Sequence, residues 1–151
     1  MKNFTKKILV FIILMFIFIS TSLVYSQQEN ELEIKEIEKI FNHLESGIKT
    51  SSIKEFNNYL MAEIFISLEN GVTSYFSSTQ SYHILDNYFK QNKPIGFKLI
   101  EVVATSEKPF AVGQLKYSKN GILNDSQVFA TLLKENGKWK ISQIIMLMVV
   151  I

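Results

Sequence analysis

ENGKWKISQI, residues Glu135 to Ile144, lies near the end of the chain and reads as a tight turn feeding a β-strand. Asn136-Gly137 is the dipeptide best suited to a two-residue hairpin, because both central positions of the favoured turn need φ > 0. The residues after it, Trp139 to about Val149, are rich in β-branched and large apolar types. So are those before it, Ser126 to Lys134, which makes the pair a hairpin. Upstream, Lys119-Asn120-Gly121 divides this pair from Phe110–Tyr117, and Glu107-Lys108-Pro109 divides that run from Phe97–Thr105. The C-terminal half is expected to be a four-stranded antiparallel meander.

Before Pro94 the period changes. From Glu29 to Lys49, Ile34, Ile37, Phe41, Leu44 and Ile48 recur at spacings of three and four, with Ile40 widening the stripe, as an amphipathic helix requires. Ser52-Ile53-Lys54-Glu55 has the form of a capping box and predicts a short second helix that buries Ile53, Phe56 and Leu60. Ile64, Ile66 and Leu68 alternate with Phe65 and Ser67, and Asn70-Gly71 turns the chain back into Val72–Phe76, giving two short strands. Ser77-Ser78-Thr79-Gln80 is a second capping box, opening a third helix to about Gln91 with Tyr82, Leu85 and Phe89 inward. Segregated helices and an antiparallel sheet define an α+β class: three N-terminal helices on a curved, mainly antiparallel sheet.

The N-terminus bears Lys2, Lys6 and Lys7, then the apolar run Ile8–Ile19, then small residues up to Val24-Tyr25-Ser26. This is the pattern of a secretory signal peptide, with cleavage expected after Ser26. Residues 1–26 are therefore assigned to a leader and residues 27–151 to one domain, exported to the periplasm or beyond and meeting the membrane only during export. The leader holds three lysines and no acid, so the mature chain carries 13 lysines against 14 acids, a net charge of −1. Nucleic acid is not an expected partner. The chain has no cysteine, hence no disulfide, thiolate nucleophile or lipoprotein attachment. All sixteen basic residues are lysine, which disfavours bidentate phosphate recognition.

The helix–helix–hairpin–helix–meander order, with Gly137-Lys138-Trp139-Lys140-Ile141 entering the last strand, resembles the nuclear transport factor 2-like superfamily, the cystatin-like cones. More narrowly it resembles the exported bacterial family of domain of unknown function 4783. The residues that carry the likeness are Gly47-Ile48, the Ser52 box, Phe56, the segment Ile64–Phe89, Ala111–Tyr117 and Phe129–Ile144. They are packing and turn residues spread over the whole mature chain. The superfamily includes isomerases, dehydratases, cyclases and non-enzymatic binders, and fold does not choose among them.

Chemistry is sparse. Superfamily isomerases use a carboxylate base in an apolar cavity. The nearest candidates here are Glu63, at the entrance to the first strand, and the pair His83 and Asp86, three apart on the third helix. No spacing suggests a metal site, and no cofactor is expected. On the last strand Trp139, Ile141, Gln143 and Ile145 alternate onto one face. The resemblance implies that this face meets the helices, making Trp139 a core plug and Gln143 an inward amide in need of a partner. Gln114, Tyr59, Tyr75 and Tyr82 are the other residues expected to border a ligand. The closing Ile144–Ile151 is apolar without alternation, which predicts cover on both sides, by the helices and by a second subunit or the tail itself. Three readings stay open: a non-catalytic exported binder of a small apolar ligand or a protein partner, an isomerase or dehydratase, and a homodimerising module acting through the open sheet face and C-terminal tail.

Overall fold

The computed structural model describes residues 28–105 and 107–149. The expected leader lies outside them. The chain divides into two compact units, Met1–Ile34 and Lys35–Ile151. In the first, residues 28–34 are helical; the helix α1 runs over 28–50. Among the described residues no helix is long and apolar enough to cross a membrane. All that follows concerns the second unit.

In this unit α1 buries Ile37, Ile40, Phe41, Leu44 and Ile48, the stripe that the three-and-four spacing predicts. The helix ends in a Schellman motif. Ser51 adopts φ 58°, and its N–H and that of Ser52 donate to the Ile48 and Gly47 carbonyls at 3.2 and 2.8 Å.

The predicted second helix is instead two separate 3₁₀ turns, Ile53–Glu55 and Asn57–Tyr59. The Ser52 side chain caps neither backbone. Phe56 stands between the turns at φ −123°, ψ 1°, and Leu60 is already extended. The Phe56 ring is fully buried, and a Cβ on Gly47 would stand 2.4 Å from it. Seating that ring on the bare backbone of α1 outweighs a continuous helix. Among the described residues there are thus two α-helices rather than the three expected. The other, α2 (Ser78–Gln91), opens as predicted: the Ser77 hydroxyl accepts from the Gln80 N–H, and the Gln80 side chain accepts from the Ser77 N–H at 3.0 Å.

The strands are β1 (Leu60–Ser67), β2 (Thr73–Ser77), β3 (Lys93–Val103), β4 (Phe110–Lys119), β5 (Ile122–Glu135) and β6 (Lys138–Met148). They form one sheet in the order β2-β1-β6-β5-β4-β3. Pairing is antiparallel throughout except between β1 and β6, which run parallel. The meander is as predicted. At the two Asn-Gly turns of the meander both central residues have positive φ: 53° and 80° at Asn120-Gly121, 51° and 76° at Asn136-Gly137.

Register shifts bend the sheet where β1 meets β6, within β3, and where β5 meets β6. Carboxylates satisfy backbone donors at two of these irregular places. Glu135 accepts the Ala62 N–H at 3.0 Å, and Glu45 of α1 accepts the Leu99 N–H at 3.2 Å. One face of the sheet packs on α1, the 3₁₀ turns and α2 through Ile64, Ile66, Leu115, Val128, Leu132, Ile141, Ile144 and Met146, all essentially solvent-free. The face that points away from this core carries the candidate site.

Candidate functional site on the outer face of the sheet

Ser142 decides what this face presents. Lys134 pairs with Trp139 and Leu132 with Ile141, but the next partners are Thr131 with Gln143 and Ala130 with Ile144, so Ser142 is an extra residue. Its hydroxyl donates to the Thr131 carbonyl at 3.1 Å. A one-residue bulge shifts the side-chain phase. Trp139, Ile141, Ile144 and Met146 point into the core, while Gln143 and Ile145 point away from it. The expectation that Trp139, Ile141, Gln143 and Ile145 share one face is corrected: it holds for the first two, and the bulge turns the last two outward.

With this phase, two cross-strand rows lie side by side. Tyr75 of β2 pairs with Phe65 of β1, which pairs with Gln143 of β6, then Thr131 of β5 and Phe110 of β4. Two residues along, Ser67, Ile145, Phe129, Val112 and Glu101 continue from β1 to β3. Apolar side chains dominate both rows, and the Phe65 and Tyr75 rings meet edge-on, 5.2 Å between centroids. At the centre the Thr131 hydroxyl donates to Gln143 Oε1 at 3.3 Å. That pair forms the shared wall of two concavities. One, of about 370 Å³, is lined by Phe110, Phe129 and Ile145 with Lys108 at its margin. The other, of about 360 Å³, is lined by Met61, Phe65, Tyr75 and Leu133 with Glu63 at its margin. Apolar walls with a few convergent polar groups suit a small-molecule site.

Of the residues singled out in the sequence, Gln143, Tyr75 and Glu63 come together here. Gln114 lies on the same face, opposite Gln127, but outside both concavities. Trp139 is in the core, its ring 5.0 Å from Lys134 Nζ. Tyr59 packs against His43 at 5.1 Å and Tyr82 against His83 at 5.4 Å, and neither lines the two concavities. His83 is exposed, and Asp86 is engaged by Lys90 at 2.6 Å on the surface of α2. The three residues considered as bases are thus scattered over two faces. Among the described residues no group of acids and histidines has the arrangement of a metal site.

A polar cluster that the sequence reading passed over lies at one end of the sheet. Glu69, in the β1–β2 turn, accepts the Tyr117 hydroxyl at 2.6 Å and also the Ser126 hydroxyl. The Tyr88 hydroxyl of α2, sealed from solvent, lies beside Glu69 but outside good hydrogen-bond geometry. Burial raises the Tyr88 pKa, and the neighbouring Glu69 charge raises it further. Tyr117 is pushed up to about 12, by burial first and then by its bond to Glu69. Both phenols stay protonated as donors. Because the folded-state pKa exceeds the unfolded value, the stabilisation linked to Tyr117 is complete below about pH 10 and lost as pH rises through about 12. Thermal melts across that window should show the loss, and Tyr117→Phe should reduce its steepness.

The family described as "Domain of unknown function (DUF4783)" matches residues 41–146. No curated protein matches. Among solved structures, a DUF4783 family protein from Bacteroides uniformis is similar at a TM-score of 0.66 and 17% identity, covering 73% of this chain and 97% of that one. Another from Bacteroides ovatus gives 0.62 and 20%, covering 72% and 94%. A ketosteroid isomerase-like protein from Erwinia carotovora gives 0.61 and 12%, covering 79% and 98%. At these identities the likeness is one of fold: nuclear transport factor 2-like, α+β, with a six-stranded curved sheet.

Proposed function

We propose, for a chain that belongs to the DUF4783 family and carries its chemistry on the outer sheet face, an exported binding domain rather than an enzyme. Its ligand is a small, largely apolar molecule with one hydrogen-bonding end. The observation that carries this reading is the pair of apolar concavities meeting at Thr131 and Gln143. Phe110, Phe129 and Ile145 supply apolar area, and the Gln143 amide supplies direction. The scatter of His83, Asp86 and Glu63 argues against a shared acid–base reaction. Native mass spectrometry of protein purified from the periplasm should find a retained small molecule. Phe129→Ala should weaken its binding by about tenfold or more, the equivalent of roughly 1.4 kcal/mol. Wild-type protein with no adduct, stripped or unstripped, would sink the ligand reading.

The same face supports a second reading, association of two copies. Leu147 is about half exposed at the end of β6 and extends the outer apolar row beyond Ile145. Sedimentation of wild type as a dimer, and of Leu147→Lys as a monomer, is the expected result under this reading. Unchanged assembly in the variant would argue against it.

A further inference from the structure

The Glu69 cluster is independent of the outer face and has the make-up of a ligand site. Its three hydroxyls come from three elements, Tyr88 from α2, Tyr117 from β4 and Ser126 from β5. They surround one carboxylate carried in by a fourth, the five-residue turn Leu68–Val72. All three donor residues are essentially solvent-free: Tyr88 is 2% exposed, Tyr117 1% and Ser126 0%. The Tyr88 hydroxyl is the telling group. A buried hydroxyl without a well-formed hydrogen bond is costly, and this one sits beside a carboxylate already held by two other donors. We propose that Tyr88, Tyr117 and Ser126 form a carboxylate-binding site, and that Glu69 fills it as a tethered occupant which an external carboxylate displaces.

The chemistry suits reversible occupation. Hydroxyl-to-carboxylate bonds are charge-assisted and short; Glu69 acts on both phenols, Tyr117 also on Tyr88, and Ser126 on Tyr117. Neutral donors hold an anion without the strong pairing that a buried cation would impose. The tether itself is slight. The turn is closed by Leu68 N–H to the Val72 carbonyl at 2.8 Å and Gly71 N–H to the Leu68 carbonyl at 3.1 Å. Its tip, Asn70 and Gly71, is exposed. Lifting the tip withdraws Glu69 and leaves three donors for a ligand carboxylate, whether a free short-chain acid or an acidic side chain of a peptide.

The test is chemical rescue. Glu69→Ala, melted in sodium chloride, should be less stable than wild type. Replacing chloride by acetate or formate at equal ionic strength should raise its Tm in a saturable way. Tyr117→Phe added to Glu69→Ala should abolish that saturable rise. Wild type, its site already filled, should need acetate at about tenfold higher concentration or more, since apparent affinity falls with the fraction of open sites. If Glu69→Ala does not fold in chloride, acetate should induce folding, followed by circular dichroism. An acetate effect no larger than that of chloride, on either stability or folding, would overturn the proposal. So would a rescue that survives Tyr117→Phe. An acidic peptide that competes with acetate on Glu69→Ala would identify the peptide source, and one that does not would identify the free acid.

Discussion

Ile144→Ala should destabilise the domain by about 2–5 kcal/mol, while Ile145→Ala, one residue on, should cost under about 1 kcal/mol. Ile144 is fully buried against the helices and pairs with Ala130 inside the core. Ile145 stands on the other face opposite Phe129, only partly covered. Strict alternation from Trp139 predicts the reverse order, because it places Ile145 inward and Ile144 outward. Equilibrium urea unfolding of the two variants reads the phase of β6 directly. A larger loss for Ile145→Ala would mean that Ser142 is not a bulge, and the outer-face site would disappear with it. Since natural domains are stable by only about 5–15 kcal/mol, the expected loss at Ile144 is a large share of the total.

Phe56→Ala should cost about 3–5 kcal/mol, among the largest losses open to a single change here. Its ring is fully buried and lies on the backbone of α1 at Gly47. A methyl group at Gly47 would stand 2.4 Å from the ring and 2.8 Å from the Ser52 carbonyl, so Gly47→Ala should also destabilise, by about 1–3 kcal/mol for overpacking. The two changes are coupled. Once the ring is gone most of the clash goes with it, and alanine's preference for helix over glycine, about 1 kcal/mol, begins to tell. Gly47→Ala should therefore be close to neutral in the Phe56→Ala background. A double-mutant cycle by chemical denaturation measures the difference, and simple additivity would refute the packing assignment.

The site was legible in part. Gln143 stood out because an amide in an apolar strand calls for an explanation, and the structure does give it a partner in Thr131. Its face is not legible from the sequence, since a bulge leaves no local signature in Ile141-Ser142-Gln143. Glu69 went unremarked because a glutamate beside Asn-Gly in a turn is ordinarily solvated. Its three hydroxyl neighbours are 19 to 57 positions away and share no motif. A signal was present all the same: Tyr117 and Ser126 flank the Asn120-Gly121 turn at the end of inward-facing runs, where an exposed polar rim would be usual.

The sequence by itself determined the hairpins, the meander, the capping box at Ser77 and Gln80, and the buried stripes of α1 and α2. These follow from φ preferences, side-chain period and hydrogen bonds between residues a few positions apart, which operate before any long-range contact forms. Only the tertiary structure decided the bulge at Ser142, the two 3₁₀ turns around Phe56, and the convergence of hydroxyls on Glu69. The β6 strand must match an antiparallel partner on one side and a parallel partner on the other, and both ladders shift register beside Ser142. Two pairing geometries with different spacing meet in one strand there. The extra residue reconciles them, and in doing so it sends Gln143 to the outer face.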